Sequence, residues 1–299
     1  MSLSPLVSVV VVTYNSSKYI LQTLDSIYNQ TNINIELIIT DDASQDKTVE
    51  VCNKWLSEHK SRFVRVLILT VEKNTGISAN CNRGIKYSNG KFIKIIAGDD
   101  IMHPECIDNN INNIGDADLM VSQLIRFCND VYYPLKDNSK LFDSFCTLDS
   151  FKRSHFYART SFFFNVPTLF YRASVFKKIG YYYEEERLLE DVPFLLKFFN
   201  SNLKVSYMPI VTVYYRQSGI SNNTSIKFDK VLIDAFFKYR IKYLNKSSLI
   251  DNIIIYERKL YSWLIHNRTN KDWLLNKYYS RYNLLYLLCR KLSYSFRFL

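Results

Sequence analysis

The sequence predicts an α/β fold with a doubly wound, mostly parallel sheet and helices on both faces, followed by a mainly helical basic segment. Three observations lead there. Strand-like and helix-like patterns alternate through the first hundred residues, the strand runs are apolar throughout, and they end abruptly in polar residues. Alternation of this kind requires crossover connections and hence a parallel sheet covered on both sides. A run with no polar alternation marks a strand buried on both faces.

Val7–Val12 is β-branched and reads as the first strand. The turn Tyr14-Asn15-Ser16-Ser17 follows, and Lys18–Asn29 places Ile20, Leu21, Leu24, Ile27 and Tyr28 at helical spacing. Glu36–Thr40 is the second strand, closed by Asp41-Asp42-Ala43-Ser44; Thr48–Glu58 is the next helix and Val64–Leu69 the third strand. Ser78–Tyr87 reads as helix, and Phe92–Ile96 is the strand that leads to Asp99. In the second half, Leu119–Phe127 is strand-like. Ser161–Tyr171, dense in Phe with Pro167 inside, predicts an edge or irregular segment. Ser174–Lys178 begins a short helix that Gly180 ends, Leu188–Phe199 is helical, and Val205–Arg216 is a strand. Beyond Ile226 the chain is basic, aromatic and helical in pattern. The domains expected are 1–226, with halves near 1–120 and 121–226, and 227–299.

The 299 residues supply an ample core, and 47% hydrophobic residues exclude general disorder. Six cysteines without C-x-x-C spacing argue against a zinc site or a disulfide scaffold and fit a reducing cytoplasm. The N-terminus lacks the basic region of a signal peptide, and no apolar run approaches the roughly 18 residues of a membrane span. The expectation is a soluble chain. Nothing in the sequence sets an oligomeric state.

Ala97-Gly98-Asp99-Asp100 closes an apolar strand with two adjacent carboxylates. Neighbouring anions repel unless a cation joins them, so the pair suggests a hard divalent metal such as Mg²⁺ or Mn²⁺. An Asp-rich turn is the plainer reading of the pair alone. Neither G-x-G-x-x-G nor G-x-x-x-x-G-K-[S/T] is present. The strand tips instead offer Thr13-Tyr14-Asn15 and Asp41-Asp42, an aromatic face for a base and carboxylates for a base N–H or a ribose hydroxyl.

Together with Asn74-Thr-Gly-Ile-Ser78, Asn82-Arg-Gly84, Leu189-Glu-Asp191 and Tyr215-Arg-Gln-Ser-Gly-Ile-Ser221, these elements resemble the family 2 glycosyltransferases of GT-A fold. The likeness is greatest to bacterial enzymes of O-antigen and capsule assembly, and covers about residues 5–225. It implies inverting transfer from a UDP-sugar to an acceptor hydroxyl, with Mn²⁺ or Mg²⁺. By position, Thr13, Tyr14, Asn15, Asp42, Ser78 and Asn82 would bind the nucleotide-sugar. Asp99 would lie near the ribose or sugar, or on the metal. Asp100 would hold the metal, and Asp191 would be the general base with Glu190 beside it. Cys81 stands where the family often has Arg, and Gln217 where it often has His. Arg83 is the nearest substitute cation. His103 is a conceivable ligand, although His103-Pro104-Glu105 reads better as a helix start.

From Lys227 to Leu299 there are 15 Lys and Arg against 5 Asp and Glu, a net +10 of the chain's +11. Interleaved with Leu, Tyr, Trp and Phe, this charge suits an anionic membrane surface. No nucleic-acid recognition module is evident. A lipid-linked saccharide acceptor at the cytoplasmic face of a bacterial inner membrane is the implied partner.

Overall fold

A computed structural model describes residues 4–129, 131–134, 138–160, 164–187, 189–217 and 226–266. The chain divides into two units. One comprises Met1–Cys146, Phe164–Glu190 and Leu203–Gly219; the other comprises Thr147–Phe163, Asp191–Asn202 and Ile220–Leu299. The second unit thus takes in two internal helical stretches besides the C-terminal part of the chain.

The first unit carries the sheet. Its strands are β1 (Val7–Thr13), β2 (Ile35–Asp41), β3 (Arg65–Thr70), β4 (Phe92–Ala97), β5 (Ile101–Met102), β6 (Leu119–Cys128), β7 (Val131–Pro134), β8 (Phe170–Arg172) and β9 (Val205–Arg216). Their order is β3-β2-β1-β4-β8-β6-β9-β5, with β7 paired to β6. β1 to β4 are mutually parallel, with Val9 opposite both Leu37 and Lys94, and Leu37 opposite Val66. β8 runs antiparallel to β4 and β6, while β6 and β9 are parallel. Parallel pairing therefore dominates the first half only. Of the edge or irregular segment expected over Ser161–Tyr171, residues 164–169 are irregular around a 3₁₀ turn, Ser161–Phe163 lie outside the described residues, and β8 itself lies inside the sheet. Pro167 is tolerated because it sits in the 3₁₀ turn Val166–Thr168 ahead of the strand.

Helices of this unit are α1 (Ile20–Tyr28), α2 (Thr48–His59), α3 (Ile77–Lys86), α4 (Cys106–Asn113), α5 (Ser139–Cys146) and, later in the chain, α7 (Ser174–Ile179). Side chains alternate across a strand, so each strand serves two layers. Val7, Val9, Val11, Ile35, Leu37 and Ile39 join Ile20, Leu24, Ile27, Cys52 and Trp55 from α1 and α2 in one buried cluster. The opposite face receives α3 at close range. A Cβ on Gly84 would stand 2.2 Å from Val10 Cγ1 and 3.3 Å from Thr40 Cγ2. Gly84 is thus the residue that lets α3 lie against β1 and β2.

The second unit is helical: α6 (Ser150–Thr160), α8 (Asp191–Phe199), α9 (Ile226–Ala235), a π-helical turn Phe236–Arg240 and α10 (Leu249–His266). Its buried polar centre is Asp251, which accepts from Arg159 Nε at 2.7 Å and from the Asn245 N–H at 2.7 Å. His155 Nε2 also lies 2.7 Å from this carboxylate. These bonds and charges outweigh burial and hold the Asp251 carboxyl below its usual range. No described helix is long and apolar enough to cross a membrane.

Candidate functional site

The pairing directions point β1, β2, β4, β6 and β9 the same way, so their carboxyl ends share one edge of the first unit. Open α/β sheets bind ligands at that edge. There Thr13 Oγ1 donates to Asp41 Oδ2 at 2.8 Å, and Asp41 also accepts from the Ser44 N–H at 2.9 Å. Asn15, in the left-handed region at φ 51°, donates its N–H to Ser44 Oγ and accepts from the Gln45 N–H, both at 2.8 Å. Thr13 and Asn15 therefore tie the first two loops together. Tyr14 rides on that tie, 44% exposed, with its ring available as a stacking face.

Asp42 behaves differently from its expected role at a base. It is buried, and its carboxylate accepts from the Thr75 N–H at 3.0 Å, Thr75 Oγ1 at 2.5 Å, the Gly76 N–H at 2.8 Å and Arg83 Nη2 at 3.4 Å. A carboxylate offers about four acceptor positions, and these bonds take them. In this structure Asp42 anchors the loop into α3, and Arg83 lies against it as an ion pair.

Ser78 and Asn82, expected at the nucleotide-sugar, make protein contacts here. Both are buried on α3, and Ser78 Oγ donates to the Glu186 carbonyl. Asn82 Nδ2 donates to the Tyr182 carbonyl at 2.9 Å, and its Oδ1 accepts the Tyr182 N–H at 3.0 Å. Gly76, at φ 94°, brings its backbone against Arg187. The polar positions of α3 thus latch segment 182–187, which leads to Glu190. Glu190 bears electrostatically on Cys81 and Tyr182, where burial foremost raises the thiol and the phenol.

The Asp99-Asp100 turn is the most charged feature of the edge. Asp100 is 1% exposed; its Oδ1 accepts the Arg216 N–H at 2.9 Å, and its Oδ2 has no partner. Burial, reinforced by Asp99, raises the Asp100 carboxyl to about 8, against the pull of the Arg216 N–H, Lys94 and the Arg216 guanidinium. Burial also raises Asp99, offset in part by Arg216. Lys94 lies fully buried on β4, with Nζ on the Pro167 carbonyl, and burial lowers its own affinity for a proton. An unpartnered, buried carboxylate oxygen fits a hard cation better than it fits a turn. Among the described residues no three His, Cys, Asp or Glu converge, so a cation here needs further oxygens from substrate and water. His103 leads into α4: its backbone N–H donates to the Thr212 carbonyl, its carbonyl receives the Cys106 N–H, and its Nδ1 accepts the Glu105 N–H at 3.3 Å.

Sequence reasoning missed Arg216 and Lys94. The signal for Lys94 was a charged residue on the inward face of an apolar strand; for Arg216 it was its place in Tyr215-Arg-Gln. In the second unit, Asp191 opens α8. Burial raises its carboxyl, opposed by the Val192 N–H at the helix start and by Arg240 on the π-helical turn. Glu190 and Asp191 are thus adjacent in sequence but assigned to different units.

The sequence model of glycosyl transferase family 2 matches residues 8–180. An uncharacterized glycosyltransferase of Methanocaldococcus jannaschii is 24% identical over 273 residues, 88% of each chain. The S. aureus TarS 1–349 structure in complex with UDP-GlcNAc superposes with a TM-score of 0.61 at 20% identity, over 96% of this chain and 79% of that one. The mannosyltransferase PcManGT of Pyrobaculum calidifontis, in complex with GDP-Man and Mn²⁺, gives 0.58 at 13% identity, over 98% and 74%.

The latch yields a discriminating prediction. Asn82→Leu strands the Tyr182 N–H and carbonyl, at about 1–3 kcal/mol for each buried group left unpaired. Hydrogen exchange in 182–187 should accelerate while nucleotide affinity stays unchanged. Weakened nucleotide binding with unaltered exchange would restore Asn82 to the donor site.

Proposed function

The chain belongs to glycosyl transferase family 2, and from that premise we propose that it transfers a sugar from a UDP-sugar to an acceptor hydroxyl with inversion. The observation that carries the reading is the orphaned Asp100 Oδ2, buried at the carboxyl edge beside Asp99. Asp100, with Asp99, would hold Mn²⁺ or Mg²⁺, which when bound supplies positive charge against the departing diphosphate. Tyr14 offers the nucleobase a stacking face, and Thr13 and Asn15 fix the loop that carries it. Asp191 takes the proton of the acceptor hydroxyl as that oxygen attacks the anomeric carbon from the face opposite the diphosphate. A partly buried carboxylate with a raised pKa suits a base whose substrate turns acidic only in the transition state.

The acceptor we propose is a saccharide linked to a polyprenyl diphosphate, used in surface-polysaccharide assembly at the cytoplasmic face of a bacterial inner membrane. The +10 of 227–299 supports a membrane-surface role. Residues 267–299, outside the described residues, hold seven Lys and Arg against one Asp. A chain ending at His266 should co-sediment less with anionic vesicles, since each basic residue near such a surface contributes about 1 kcal/mol. Equal sedimentation of the two folded proteins refutes the role of the tail.

For the metal, Asp100→Asn should abolish Mn²⁺ binding in the presence of UDP, measured by titration calorimetry. A carboxyl raised to about 8 is neutral below that pH and must release its proton to take the cation. Affinity should therefore rise with pH towards 8, with proton uptake by the buffer. Mn²⁺ binding that is pH-independent or survives in the variant removes Asp100 from the site.

For the base, Asp191→Asn should lower turnover on the order of a hundredfold or more at saturating donor, the scale of general-base loss, with donor affinity little changed. Glu190→Gln should be milder. If Glu190→Gln is inactive while Asp191→Asn turns over normally, the base is Glu190.

A further inference from the structure

Arg216 reaches the metal-site turn from its backbone and its side chain together. Its N–H donates to Asp100 Oδ1 at 2.9 Å, and its Nε donates to the Asp99 carbonyl at 2.8 Å. Its Nη2 donates to Gln22 Oε1 on α1. The guanidinium lies between two rings, 4.1 Å from the Tyr19 centroid and 4.3 Å from that of Phe127. A planar cation stacked on both faces and bonded along its edge is held in one orientation. The rest of the turn is pinned from α1, where Thr23 Oγ1 donates to the Asp100 carbonyl at 2.7 Å and Ser26 Oγ accepts the Met102 N–H at 3.0 Å. β9 closes the arrangement by pairing Tyr214 with Ile101, the residue after Asp100. With Oδ1 accepting the Arg216 N–H, Oδ2 is the oxygen left over.

We infer that Arg216 is a positioning residue that fixes the Asp99-Asp100 turn so that Asp100 Oδ2 is the oxygen presented to a divalent cation. This rests on the proposed metal role of Asp100. The guanidinium makes three claims on the site that a smaller or more flexible cation does not reproduce: the edge bond to Asp99, the tether to α1 and the stack between Tyr19 and Phe127. Arg216→Lys keeps the charge and loses the fork, so it should behave like Arg216→Gln and not like wild type. Gln217 stands where the family often has His, and its N–H donates to the Phe127 carbonyl at 3.0 Å.

The test uses the full chain without metal first. Hydrogen exchange of a peptide covering Gly98–Met102 should rise at least several-fold in Arg216→Gln and in Arg216→Lys, while a peptide covering β1 keeps wild-type protection. Mn²⁺ binding with UDP, followed by electron paramagnetic resonance, should weaken about 10- to 100-fold, the scale for groups that orient metal ligands. Tyr19→Leu, which removes one face of the stack and keeps the Arg216 bonds to Asp99, Asp100 and Gln22, should show the same direction at smaller size; it decides the matter if the arginine variants do not fold. Unchanged exchange at Gly98–Met102 with Mn²⁺ affinity within twofold overturns the assignment, and so does a uniform loss of protection across the sheet. A wild-type protein that takes up no Mn²⁺ refutes the metal reading of Asp100 instead, and the exchange measurement alone then decides whether Arg216 positions the turn.

Discussion

One constraint organises the first unit: a carboxylate, Asp100, is buried at the end of a strand with a second carboxylate next to it. Moving its carboxyl from 3.8 to about 8 corresponds to on the order of 5 kcal/mol between its two protonation states. That is comparable with the whole stability of many domains, so the surroundings must hold the turn rigidly. Lys94 from below, the Arg216 N–H and guanidinium from β9, and Thr23 and Ser26 from α1 do this. The doubly covered β1–β4 sheet is what lets these groups be placed without slack. β1 and β2 bury both faces, and Gly84 allows α3 to close the second one.

The same economy explains α3. A helix carrying Ser78, Asn80, Asn82 and Arg83 looks like a ligand-binding surface when only its residue types are known. In place, each of these polar groups meets backbone. Asn80 bridges Thr40 and the Thr13 carbonyl, Ser78 and Asn82 hold segment 182–187, and Arg83 closes on Asp42. Irregular segments carry backbone donors and acceptors that strands and helices do not satisfy, and buried ones need side-chain partners. The loop entering α3 and the segment crossing it are both of that kind.

This separates what was legible in the sequence from what was not. β1 to β4, α1 to α3 and the Asp99-Asp100 tip were legible because their signals are local: apolar runs of strand length, helical spacing, and charge at a strand end. β8 was not, since three residues behind a proline look like an edge unless their partners on β4 and β6 are known. The second unit was not, because its centre joins His155 and Arg159 to Asp251, more than ninety positions later. The partners of Asp42 were not legible for the related reason that Thr75 and Gly76 lie 33 and 34 residues away. Residue type announced an acceptor; only the fold shows that the acceptor is already taken.

The segment Leu189-Glu190-Asp191 shows how neighbouring residues acquire different chemistry. Glu190 ends the sheet unit, where its charge bears on Cys81 and Tyr182 beside the latch built by Asn82. Asp191 begins the helical unit, where the first turn of α8 and Arg240 oppose its desolvation. The surroundings of a carboxyl group set its role, and here two adjacent carboxyl groups belong to different units. A carboxylate at a helix start is favoured by the helix dipole whether or not it reacts. Capping alone, however, does not require a cation from another element. Arg240 is buried on a π-helical turn, a distortion that costs hydrogen-bond geometry and recurs at functional sites. Its presence beside Asp191 gives that carboxyl an opposing pull towards the ionised form a base requires. On this ground we propose proton abstraction for Asp191 and placement of the segment for Glu190.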